Sequence, residues 1–247
     1  MMRIKCIVSY DGTQFHGYQI QPMKRTVQQE IESALTKLHK GQNVKIYASG
    51  RTDAGVHAVG QVFHFDTKMN IPEEKWPYAL NRYLPEDIVL QEAKYVPSDF
   101  HARYDTTAKE YRYIISQREI IDVFKRNYSY HFPFRLDLTA IRRACTHLCG
   151  THDFTSFCAA KTEVEDKVRT IYSIQVIEEG TDIIFSFKGN GFLYNMVRIL
   201  VGTLLNVGQG LTDPDSIPSI IEGRDRSLSG KTVPGHGLYL WKVYYDN

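Results

Sequence analysis

The chain has 247 residues, 43% of them hydrophobic and 23% charged, with 30 Lys+Arg against 28 Asp+Glu and a formal net charge of +2. That composition supplies apolar material for one or two cores and excludes disorder as the dominant state. No run of about eighteen apolar residues occurs, and the N-terminus Met1-Met2-Arg3-Ile4-Lys5 leads into alternating charge, so neither a transmembrane helix nor a signal peptide is expected and a cytoplasmic protein is.

Residues 2–10 alternate, with Ile4, Cys6, Val8 and Tyr10 on one face, which predicts a half-buried strand. Thr26 with Gln29 three residues on predicts a capped helix whose stripe Val27, Ile31, Leu35 and Leu38 ends at Gly41. Strands follow near 44–49 and 60–66, then a helix near 72–81 opening at Pro72, then a strand near 88–95. The pattern restarts with a strand at 108–116, a helix at 137–149 capped by Asp137, strands near 168–179 and 181–188, and a long helix at 191–207. A short helix opens at Asp213-Pro214 and a last strand covers 238–245. Each half therefore reads β-α-β-β-α-β, the split β-α-β order of a ferredoxin-like module. The expected class is α+β, with two ferredoxin-like halves, 1–105 and 106–247, whose mainly antiparallel sheets flank an active-site cleft.

The four cysteines are too few and too unevenly placed for a disulfide framework. Cys145, His147, Cys149, His152 and Cys158 cluster as zinc ligands would, but Cys145 and Cys149 share an apolar helix stripe with Ile141 and Leu148, and no C-x-x-C pair is present. Core packing of these cysteines is the expectation, and no metal is expected. Gly189-Asn190-Gly191 lacks the third glycine of a dinucleotide fingerprint, so no nucleotide cofactor is expected either.

Three segments have the residue types that chemistry needs. The stretch Ala48-Ser49-Gly50-Arg51-Thr52-Asp53-Ala54-Gly55-Val56-His57-Ala58-Val59-Gly60-Gln61 lies between two strands and places Arg, Asp and His within seven positions among three glycines. A loop of this kind on a rigid scaffold suits catalysis, and equally a tight turn with a surface Arg–Asp pair. Phe100-His101-Ala102-Arg103 precedes a strand on which Lys109, Tyr111 and Tyr113 share one face, a pattern that stacks and clamps an unpaired base, or simply forms a half-buried strand. Arg198 sits in a helix that is apolar nearly all round, where a guanidinium needs an anion, and Asp53 would serve. The near-neutral total argues against a nucleic-acid partner, yet residues 101–143 hold nine Lys/Arg against five Asp/Glu, a basic band amid a mildly acidic body.

Gly50-Arg51-Thr52-Asp53-Ala54-Gly55-Val56-His57 resembles the signature of the tRNA pseudouridine synthases of the TruA type, which modify uridines at positions 38–40 of the anticodon stem-loop. Tyr10-Asp11-Gly12-Thr13, Gly17-Tyr18-Gln19-Ile20-Gln21, Phe100 to Arg103, Lys109 to Tyr113, Gly150 to Phe157, Met196-Val197-Arg198 and Gly237 to Leu240 fall in the same order along the chain. Asn195 departs from the histidine found in many members, so no catalytic role is assigned to it. The resemblance implies that Asp53 is the catalytic aspartate, that Tyr111 stacks on the target base, and that Arg198 pairs with Asp53. It further implies that Arg51 displaces the base and fills the gap, that Leu238 packs beside the target, that no cofactor is used, and that a homodimer binds tRNA. A non-catalytic RNA-binding protein with paired ferredoxin-like sheets is the alternative, and a metal-dependent hydrolase built on the cysteine–histidine cluster is a third reading.

Overall fold

Strand β1, Met2–Tyr10, buries Ile4, Cys6, Val8 and Tyr10 on one face, as its alternation dictates. The computed structural model describes residues 1–159 and 164–246. The chain divides into two compact units, Met1–Thr107 with Tyr239–Asn247, and Ala108–Leu238.

In the first unit β1 is followed by helix α1 (Val27–Leu38), strands β2 (Tyr47–Ala48) and β3 (His57–Thr67), helix α2 (Trp76–Asn81) and strand β4 (Ile88–Val96). Strand β1 lies antiparallel between β3 and β4, and β2 pairs antiparallel with the other edge of β3. The order β4-β1-β3-β2 is that of a ferredoxin-like sheet, because the α1 crossover leaves room for one strand between β1 and β2. Val27, Ile31 and Leu35 of α1 and Trp76 and Leu80 of α2 are buried along with Phe63 and Phe65 of β3. Each such side chain contributes about 1.5–3 kcal/mol relative to exposure.

The second unit contains strand β5 (Thr106–Ser116), β6 (Tyr130–His131), helix α3 (Leu138–Leu148), β7 (Gly150–Asp153), β8 (Val168–Glu179), β9 (Asp182–Gly189), helix α4 (Met196–Gly208) and helix α5 (Ile217–Gly223). Its strands run β5-β9-β8-β7, antiparallel throughout, with β6 parallel on β5. Asp137 caps α3 by accepting from the Thr139 and Ala140 amides, both at 2.9 Å. Tyr113, Phe185, Phe187, Ile141, Leu148 and nearly all of α4 form its core.

The chain is thus mixed α+β with mainly antiparallel strands. Three sequence expectations are corrected, while the last strand keeps its expected bounds. The Thr26 side chain makes no capping bond, and its buried hydroxyl has no partner; the Gly17 and Tyr18 carbonyls accept from the Val27 and Gln28 amides at 3.3 and 2.9 Å in its place. The strand expected at 44–49 is only Tyr47–Ala48. The helix expected from residue 191 begins at Met196, because Asn195 adopts a left-handed conformation with φ 60°. The last strand, β10 (Leu238–Tyr245), pairs Tyr239 and Leu240 in parallel with His57 and Ala58 of β3, so most of it belongs to the first unit.

Candidate active site

The Asp53 loop leaves the short strand β2 and enters β3, and side chains of the first unit fasten both of its ends. At the entry the Ser49 amide donates to the Val62 carbonyl at 2.8 Å, and Ser49 Oγ donates to Gln61 Oε1 at 2.7 Å. Gln61 is fully buried, and its Nε2 reaches back to the Gly50 carbonyl at 3.0 Å. In the middle, buried Tyr10 and Thr52 share a hydroxyl hydrogen bond of 2.8 Å, and the Tyr18 amide donates to the Thr52 carbonyl at 3.0 Å. Gly17 lies against this turn with φ +94°, and a Cβ there would meet the Thr52 carbonyl oxygen at 2.9 Å, so only glycine fits without displacing the loop. At the exit the Val56 amide closes on the Asp53 carbonyl at 3.1 Å.

His57 ends the loop, buried and stacked on Tyr239 with ring centroids 4.7 Å apart. Its Nδ1 accepts from the Gly12 amide at 3.0 Å, which places the ring proton on Nε2 and makes the 3.2 Å approach to Asp11 Oδ1 a packing contact rather than an ion pair. Asp11 Oδ1 is occupied by the Thr13 amide and hydroxyl at 2.9 and 2.6 Å. The segments 10–18 and 49–57 are therefore one rigid assembly. Asp53 is held on it half-buried, and Arg51 is exposed.

The remaining expected residues lie in the second unit. Tyr111 stands on β5 opposite Phe187 of β9, half-buried, with the edge of Phe192 packed against its ring at 5.2 Å and 81°. Two residues on, Tyr113 is fully buried and donates to the Pro234 carbonyl at 2.8 Å; burial pushes its phenol well above the usual range. Gly237 presses on that ring so closely that a Cβ would come within 2.8 Å of it, and this contact seats the buried Leu238 at the head of β10.

Arg198, in the first turn of α4, is half-buried. Its Nε donates to the Val233 carbonyl at 2.7 Å and its Nη1 to Asn195 Oδ1 at 2.8 Å. Two of its donors are thus aimed by neutral oxygens, which fixes the plane of the guanidinium. Asn195, given no role from the sequence, orients Arg198. Tyr10, Gln61 and Val233 are further supports; the first two lie in stretches the sequence singled out but were given no role there, and Val233 lies in none. Their signal would have been the pairing of a polar residue inside a strand with a loop carbonyl, which only the fold reveals.

The cysteine–histidine cluster is dispersed. Cys145 is buried on the α3 stripe, His152 Nε2 lies 3.0 Å from the Cys149 carbonyl, and His147 Nε2 lies 3.2 Å from Asp215. Among the described residues no group of three or more His, Cys, Asp or Glu side chains is placed to hold a metal ion.

A family model described as tRNA pseudouridine synthase matches residues 6–105 and 144–246, and the chain belongs to that family. It is 60% identical over 247 residues to tRNA pseudouridine synthase A 1 of Bacillus cereus and to tRNA pseudouridine synthase A of Anoxybacillus flavithermus. It is 57% identical over 247 residues to tRNA pseudouridine synthase A of Bacillus subtilis. In all three comparisons 100% of each chain is covered. No helix of the described residues is long and apolar enough to cross a membrane.

Proposed function

We propose that this protein isomerises uridine to pseudouridine at positions 38, 39 or 40 in the anticodon stem-loop of tRNA, acting as a homodimer in the cytoplasm. The reading rests on the rigid loop that carries Asp53 within the sequence Gly50 to His57. A uridine stacked in a stem is out of reach of a carboxylate, so it is flipped out at a cost of a few kcal/mol. Arg51, exposed on the loop, fills the gap, and the Tyr111 ring stacks on the extruded base. Leu238 packs beside it.

The N1–C1′ bond then breaks, with its electron pair leaving on the uracil. Asp53 answers the electron deficiency at C1′, by covalent addition or by stabilising its charge, much as a retaining glycosidase carboxylate does. The uracil turns, C5 bonds to C1′, and the C5 proton is lost as N1 regains one, so product and substrate are isomers. Arg198 keeps Asp53 ionised against the desolvation of a closed site. The test is to map pseudouridine in tRNA from cells lacking this protein: loss confined to positions 38–40 is expected, and unchanged modification there overturns the assignment.

A further inference from the structure

Gln61 stands inside β3 with its side chain sealed from solvent, followed along the strand by buried Val62 and Phe63. A buried amide costs free energy unless each of its polar groups is paired. Here Oε1 accepts from Ser49 Oγ at 2.7 Å and from the Val62 amide at 3.0 Å. Nε2 donates to the Gly50 carbonyl at 3.0 Å and reaches the Tyr10 phenol, which bonds in turn to the Thr52 hydroxyl at 2.8 Å. Burial pushes that phenol above its ordinary range, against the hydrogen bonds with Thr52 and Gln61, so it keeps its proton for Thr52.

The capacity of the amide is thus filled, and three of its four partners, Ser49, Gly50 and Tyr10, lead to the loop that carries Asp53. The ladders that join β3 to β1 and β2 are made by backbone groups and need no glutamine. Thr52 is fixed twice, through its hydroxyl by Tyr10 and through its carbonyl by the Tyr18 amide at 3.0 Å. The Asp53 carbonyl is fixed by the Val56 amide at 3.1 Å. Both peptide groups that flank the Asp53 Cα are therefore set, and with them the direction in which the carboxylate leaves the backbone.

We infer that Gln61 is a positioning residue for the reaction, acting on Asp53 through two arms: Ser49 and Gly50 on one side of Arg51, and Tyr10 with Thr52 on the other. It acts through the loop and not on the uridine. The role rests on the proposed isomerase reading, in which displacing the carboxylate by about 1 Å costs about a hundredfold in rate. The experiment measures kcat and KM for pseudouridine formation, tRNA Kd, thermal midpoint and amide exchange. It uses the wild type, Tyr10→Phe, Gln61→Leu, their double variant and Gln61→Glu. Tyr10→Phe removes one oxygen and keeps the ring, so it tests the role even where Gln61→Leu fails to fold.

We expect kcat to fall about tenfold in Tyr10→Phe and about a hundredfold in Gln61→Leu, with KM and tRNA Kd within about twofold. The two substitutions break one network, so the double variant falls no further than Gln61→Leu. In Gln61→Glu only the protonated acid can donate to the Gly50 carbonyl, and burial raises a carboxyl pKa. Its kcat relative to the wild type therefore rises as pH is lowered from about 8 to about 5. Unchanged kcat in Tyr10→Phe, multiplicative losses in the double variant, a flat pH ratio in Gln61→Glu, or a loss of tRNA affinity at constant kcat each overturns the role. Lower thermal midpoints with kcat intact overturn it too, reducing Gln61 to core packing.

Amide exchange separates the clamp from the reaction. The Tyr18, Gly55 and Val56 amides, which bond to the carbonyls of Thr52, Phe15 and Asp53, should exchange faster in Tyr10→Phe and Gln61→Leu. Faster exchange in these variants of a wild type that binds tRNA but makes no pseudouridine refutes the isomerase and keeps the clamp. Unchanged exchange overturns the clamp itself.

Discussion

Asn195 shows how much a single residue settles in this chain. Its left-handed backbone stops the chain from entering α4 five residues early, and the same residue offers Oδ1 to Arg198 from one turn below. Asn bears that conformation at lower cost than most side chains because its short amide bonds locally. Asn195→Ala therefore loses both an acceptor and a tolerated φ. We expect a loss of about 1 kcal/mol of transition-state stabilisation, roughly fivefold in single-turnover rate, with tRNA affinity within about twofold. A fall in affinity at constant rate would instead make Arg198 a phosphate contact. At this scale the roles proposed for Asp53, Arg51, Tyr111, Arg198 and Leu238 come from residue types and an order that match a signature. The residues that aim them were not readable, since no residue type announces that its side chain will meet a carbonyl 35 positions away, as Arg198 meets Val233.

Among the elements, β3 does more than carry the loop. His64, on its buried face, accepts the Ala102 amide through Nδ1 at 3.1 Å and stacks on Tyr47 at 5.2 Å, tying the 100–105 turn to the sheet. Burial, then the Arg3 guanidinium and His101, push His64 down to about 4. The unfolded chain takes up this proton below its ordinary value of about 6.5, and the folded chain refuses it until pH is about 4. Stability is therefore full above about pH 6.5 and falls as pH drops from there to about 4, by about 2 kcal/mol after allowance for solvent screening. Urea midpoints measured from pH 7 to 4 should show this fall in the wild type and a flatter profile in His64→Gln, whose amide oxygen can still accept from Ala102. Equal slopes in the two proteins would remove His64 as the cause.

Most elements were legible because period-2 and helical patterns report burial directly, as in β1 and α3. The exceptions have long-range causes. The first turn of α1 is satisfied by carbonyls ten residues upstream rather than by Thr26, and β10 joins the first unit through backbone pairing that leaves no periodic trace.

For the molecule as a whole, the net charge of +2 describes neither its surface nor its partner. The basic band of residues 101–143 lies mostly in the second unit, whereas the carboxylate expected to do the chemistry is in the first. Binding and catalysis should therefore separate under mutation, which also distinguishes an isomerase from a protein that only holds RNA. A binder gains nothing from a carboxylate held rigidly beside a polyanion. The decisive measurement is tritium release from tRNA labelled at uridine C5, made with the wild type and with Asp53→Asn. The account predicts release by the wild type, none above background for Asp53→Asn, and tRNA affinities within a few-fold of each other. Tritium release retained by Asp53→Asn, or absent from a wild type that binds tRNA, would contradict it.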